Sequence, residues 1–287
     1  MALDQSPEVD YDDDDEKNDG TEMTFIEHLE ALRWHLLRAI SAIIVFMIMA
    51  WFSMGFIFNK IILGPSRIDF WTYRMMCKIG DAVGWEGLCV HEMNFSLMSR
   101  EVSGQFMMAL TSSAIIGLVI AFPYIFWEIW RFIKPGLKIT EKKASRGAVF
   151  FVTLLFFLGT LFGYYVVAPF AINFLVNFQI DPSIENQFDI GSYIGVLTTL
   201  VLACGITFQL PVAIFVLTKV GVVTPSCLRE YRKHAIVVLL IVAAVITPSP
   251  DMISQILVAI PLYILYEISI LVSQREYKRK LKEEAAA

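Results

Sequence analysis

Six stretches of the chain contain no Asp, Glu, Lys or Arg: residues 39–58, 102–127, 147–180, 190–218, 235–250 and 252–266. Runs of this length without a charged face cannot lie on the surface of a soluble protein. In lipid every backbone N–H and C=O needs an internal partner, so such runs become helices. A β-barrel would instead read as alternating decamers, which these runs are not. The expected fold is all-α: a polytopic membrane bundle of six transmembrane helices, the last two short.

The first four spans are expected near residues 34–58, 104–127, 147–170 and 193–217, each with the ~20 residues needed to cross ~30 Å of hydrocarbon. Residues 235–247 give only 13 positions before Pro248, a rise of ~20 Å. The last run starts after Asp251, contains Pro261 and meets Glu267. Two readings fit this pair: a re-entrant hairpin, or two short spans that thin the bilayer locally.

Charge divides the chain further. The whole chain carries a formal −5, but residues 1–22 hold ten acids and one Lys, leaving 22 basic and 18 acidic residues elsewhere. The like-charge block Asp12–Glu16 repels itself and stays solvated. The domain reading is therefore a disordered acidic tail over 1–22, a membrane domain over 23–273 and a charged C-terminal tail over 274–287. The acidic N-terminus and the long first run argue against a cleaved signal peptide.

Lys and Arg set the orientation. Arg33 and Arg38 precede or open the first span. Arg131, Lys134, Lys138, Lys142, Lys143 and Arg146 fill the second loop, and Lys219, Arg229, Arg232 and Lys233 the fourth. Arg275, Lys278, Arg279, Lys280 and Lys282 end the chain, whereas residues 171–192 have none. Both termini are expected inside. The first loop carries five cations spread over more than forty residues. No internal repeat of the kind that marks many transporters is visible.

Cys77 and Cys89, twelve positions apart in an outward-facing loop, are candidates for a disulfide; two unpaired thiols are the alternative. Cys204 falls within a span and Cys227 in an inward loop. No spacing resembles a zinc site, and no metal or other cofactor is expected. The chain has no GxSxG, HExxH or P-loop, and its spans contain no Asp, so an enzyme is disfavoured.

Several blocks carry a family resemblance. Phe25-Ile26-Glu27-His28-Leu29-Glu30-Ala31-Leu32-Arg33 resembles a His-Leu-x-Glu-Leu-Arg signature. Pro123, then Trp130-Arg131-Phe132-Ile133-Lys134-Pro135-Gly136-Leu137 and Glu141, resemble a Pro…Trp-x-Phe-x-x-Pro-x-Leu block. Phe208-Gln209-Leu210-Pro211-Val212 and Thr247-Pro248-Ser249-Pro250-Asp251, with Ser254, Gln255, Pro261, Tyr266 and Glu267, complete the order. Together they resemble the TatC family, the receptor core of the twin-arginine translocase, over most of residues 24–272.

The resemblance implies a protein of the bacterial cytoplasmic membrane that binds twin-arginine signal peptides of folded cargo. It also implies TatA/TatB-type single-span partners, further copies of itself, and transport driven by the proton gradient. It implies no nucleic acid. Glu141 matches the family's cytoplasmic-loop acid, with ordinary capping of the following helix as its alternative role. Glu27, Glu30, Arg33 and Phe132 complete the expected arginine-binding set, since carboxylates and an aromatic face suit guanidinium. Phe132 also suits an interfacial anchor. The family's acid before Leu-Arg is Ala31 here, and Glu30 stands ~100° round the helix from it.

Gln209, Glu267 and Gln255 are polar groups at membrane depth, candidates for contacts with partner helices. Gln209 equally suits a bond within its own bundle, and Glu128, at the inner end of the second span, is expected to be solvated. The runner-up function is a small-molecule or ion transporter, which calls for a buried charged pair near the midplane.

Overall fold

The computed structural model describes residues 25–84, 89, 95–133, 147–181, 183, 186–247 and 252–285. Helix α1 (Phe25–Phe52) is followed by a single turn, α2 (Met54–Ile57), a π turn over Phe58–Ile62 and a 3-10 turn over Gly64–Ser66. Then come α3 (Trp71–Val83), strand β1 (Ser96–Met98), α4 (Gly104–Ile133) and α5 (Ala148–Phe162). A π turn over Gly163–Val167 joins α5 to α6 (Ala168–Asn177). Strand β2 (Gln187–Asp189), α7 (Ile190–Thr207), α8 (Leu210–Val220), α9 (Pro225–Glu230), α10 (Arg232–Ile246) and α11 (Met252–Ala285) complete the order.

Five helical segments are long and apolar enough to cross a membrane: Leu29–Phe52, Gly104–Ile133, Val149–Asn177, Ile190–Val220 and Ser254–Arg279. Helix α10 is the sixth, with 15 residues and a rise of ~22 Å. Short describes the uncharged stretch of the last span but not its helix, because α11 runs 34 residues through Pro261 and Glu267. Its continuation buries Ser269, Ile270 and Ser273, and Ser273 hydrogen-bonds Thr218 of α8 at 2.8 Å. Residues 274–285, read as a tail, are the end of this helix. The acidic segment 1–22 lies outside the described residues.

Proline chemistry explains the breaks. Pro211 has no N–H and its ring crowds the carbonyl four residues earlier. The fourth span accordingly turns at Phe208–Gln209 and restarts as α8, with Pro211 in its first turn. Pro169 causes no such break, because the π turn just before it widens the ladder and the backbone stays helical throughout. The first span ends earlier than its hydropathy, at Phe52, and residues 53–66 form a tightly turned exit.

Small residues set the packing. A Cβ on Gly117 of α4 would come within 2.7 Å of Met47 N and 3.0 Å of Ile43 O on α1. A Cβ on Gly159 of α5 would meet Cys204 O at 2.7 Å, so the third and fourth spans touch backbone to backbone. Val167, Ala168, Ala171, Leu200 and Ala243 are fully buried in the resulting core.

The loops at the far ends of these helices are knit together. Strands β1 and β2 pair in parallel, Leu97 opposite Phe188. Tyr193 and Tyr164 donate to the carbonyls of Ile62 and Ile61, both at 2.7 Å. Tyr73 of α3 shares its hydroxyl between Pro65 O and Pro169 O, 3.0 Å each, and burial pushes its phenol well above the ordinary tyrosine range. These loops are thus anchored to the helices by tyrosine hydroxyls.

Candidate functional site

The first residues of α1 and the last of α4 share the end of the bundle that carries most of the cations. Helix α1 turns Ala31, His35, Ala39 and Ala50 toward α4, at helical spacing, and leaves Glu30, Arg33, Trp34 and Arg38 exposed. His35 Nδ1 lies 2.5 Å from Glu128 Oε2. The Glu128 side chain is 1% exposed and the His35 side chain 17%. Tyr124 also hydrogen-bonds Glu128, and Arg38 is within electrostatic reach. A buried carboxylate persists only when paired and hydrogen-bonded. Glu128 meets both conditions and is therefore not the solvated acid expected from its place at the end of a span.

This pair fixes the antiparallel register of α1 against α4. Five residues back from His35 and five forward from Glu128, residue 30 comes level with Ile133. Glu30 and the point where the chain leaves α4 toward Glu141 therefore share one end. Phe132 is half-buried, and its ring stands edge-on to His35 at a centroid distance of 6.0 Å. Arg131 covers the Trp127 ring at 5.6 Å. Glu141 and the side chain of Glu27 lie outside the described residues.

The intramembrane polar groups have partners within the chain. Gln209 Nε2 donates to Val152 O at 3.1 Å, across the break in the fourth span, while its buried Oε1 has no partner. Gln255 Nε2 donates to Leu240 O at 3.1 Å, tying α11 to α10. Glu267 accepts from Arg232 at 2.7 Å and from Tyr263 at 3.0 Å. Tyr266 donates to Leu228 O at 2.7 Å. These bonds make α10 and α11 an antiparallel hairpin docked on α9. Cys77 and Cys89 are disulfide-bonded, Cys204 is a buried thiol and Cys227 an exposed one.

The His35–Glu128 pair is what sequence reasoning missed. Its signal was present: His35 stands four residues from both Ala31 and Ala39, on the face whose small residues mark a helix contact. Among the described residues no cluster of His, Cys, Asp or Glu is placed to hold a metal ion.

A family model described as the Sec-independent protein translocase protein TatC matches residues 27–261. The chain belongs to the TatC family. It is 41% identical over 266 residues to the TatC protein of Blattabacterium sp. subsp. Periplaneta americana, covering 92% of this chain and all of that one. To TatCy of Bacillus subtilis it is 32% identical, over 92% of this chain and 94% of the relative. A crystal structure described as the twin arginine translocase receptor TatC superposes with a TM-score of 0.63 at 31% identity, over 87% of this chain and 99% of the other. This TatC-family chain is thus a multi-pass membrane component of a protein translocase, not an enzyme.

Proposed function

We propose that the chain is the receptor subunit of a twin-arginine translocase in a bacterial cytoplasmic membrane, with both termini and the cation-rich end in the cytoplasm. In this reading the Arg pair of a folded cargo's signal peptide is captured by Glu30, Glu27 and Glu141. Phe132 packs beside a guanidinium stem, and Arg33 orients the acids. Arginine suits such a site because its planar fork donates two charge-assisted hydrogen bonds to one carboxylate.

The observation that carries the proposal is the register set by His35 and Glu128. It brings exposed Glu30 level with Ile133, where the chain leaves α4 on its way to Glu141, and this supports a site shared by the two segments. The signal's apolar stretch then lies against the faces of the spans. TatA/TatB-type single-span partners dock elsewhere, in a complex with more than one copy of this chain, and the proton gradient drives transport. The unpartnered Oε1 of Gln209, and Gln255 and Glu267 on the short hairpin, supply polar groups for those contacts.

Site-specific cross-linking to a twin-arginine signal peptide tests the site. Glu141→Lys should abolish cross-linking while insertion and disulfide formation stay normal. Undiminished cross-linking would remove Glu141 from the site.

A further inference from the structure

The first loop's scattered cations serve no part of the receptor reading, and two of them sit on α3. That helix has two unlike sides. Thr72, Tyr73 and Gly80 are buried against the body, while Trp71, Met75 and Ile79 form an i, i+4, i+8 stripe that is 53%, 41% and 50% exposed. Arg74 and Lys78 flank the stripe on the exposed arc, and neither joins an ion pair among the described residues.

The depth of α3 follows from its anchors. Thr72 donates to Tyr165 O, Tyr73 to Pro169 O at 3.0 Å, and Phe70 stacks on Tyr165 at 5.6 Å. Residues 165–169 lie inside the uncharged run 147–180, eight to twelve positions before the span ends at Asn177. Helix α3 therefore starts beside membrane-facing helix and not beyond its end. A groove of about 550 Å³ opens from Trp71 along Leu158, Leu161, Phe162, Tyr165 and Val166. Its far wall belongs to the third span.

We propose that α3 is an interfacial lipid anchor. The Trp71–Met75–Ile79 stripe lies at the boundary of headgroups and acyl chains, one acyl chain of a phospholipid occupies the groove, and Arg74 and Lys78 hold its anionic headgroup. An amphipathic helix with an aromatic and aliphatic stripe beside Lys and Arg has the composition of such anchors. The long cationic stems reach from apolar surroundings to phosphate. The charge complementarity of these two cations, neither in an ion pair among the described residues, is what selects a phospholipid over an apolar partner helix. The same anchor accounts for basic residues in a loop that the charge rule leaves otherwise unexplained.

Full-length protein in lipid nanodiscs tests this, with the emission of Trp71 obtained as the difference between wild type and Trp71→Phe. Chain-brominated phospholipid should lower that emission at least twofold, while aqueous acrylamide leaves it nearly unchanged. Acrylamide quenching without bromolipid quenching would overturn the anchor. At equal mole fraction, brominated phosphatidylglycerol should quench about twofold more than brominated phosphatidylcholine, and Arg74→Gln/Lys78→Gln should erase the difference. Equal quenching by the two lipids in the wild type would overturn the headgroup assignment without any variant.

Discussion

His35 Nδ1 and Glu128 Oε2 meet at 2.5 Å between the first two spans, with the carboxylate fully enclosed and the imidazole partly open. That asymmetry predicts unequal mutational costs. His35→Ala leaves a buried carboxylate short of its main partner and should cost roughly 3 kcal/mol or more. Glu128→Gln keeps an amide in hydrogen-bond reach and should cost about 1 kcal/mol. Unfolding of the purified protein in detergent measures both. Equal costs would mean that the pair is not held as described.

Backbone approach makes a second prediction. Gly117→Ala drives a methyl into the backbone of α1 at Met47 and should destabilise by about 1–3 kcal/mol. Nothing lies within 4 Å of a Cβ built on Gly195, so Gly195→Ala should be neutral or stabilising by up to ~1 kcal/mol. The same unfolding assay compares the two.

The cysteines make a third. In the native protein without reductant, a membrane-permeant alkylating reagent should modify Cys227 quickly, Cys204 slowly, and Cys77 and Cys89 not at all. Mass spectrometry of the intact chain should show two further adducts after reduction. Loss of the cross-link in Cys77→Ser should cost about 3 kcal/mol.

A fourth concerns Glu267. Glu267 accepts from both Arg232 and Tyr263, and the amide of Glu267→Gln keeps an acceptor within reach, so the change should cost about 1 kcal/mol. If Glu267 serves a partner helix, export of a twin-arginine reporter should fall in this variant at unchanged protein level.

The bundle was legible in the sequence because lipid imposes a local rule: a long uncharged run is a helix wherever it packs. The family blocks were legible for a different reason, since Trp130 to Leu137 and Phe208 to Val212 hold their order along the chain. The burial of Glu128 was not legible. It depends on His35, 93 positions away, and no window of sequence contains both. The depth of α3 was hidden likewise, because it rests on Tyr73 reaching Pro169. The length of α11 was not legible either, because the uncharged run stops at Tyr266 while the helix continues to Ala285, with Glu267 on a face that Arg232 neutralises.

Retention of a twin-arginine signal peptide by the full-length protein, against its Lys-Lys variant, measures the central claim most directly. Loss of bidentate, charge-assisted hydrogen bonds of ~1.5–3 kcal/mol predicts retention about 10- to 100-fold weaker for the Lys-Lys peptide. Equal retention of the two peptides would contradict a receptor built from carboxylates at the cation-rich end.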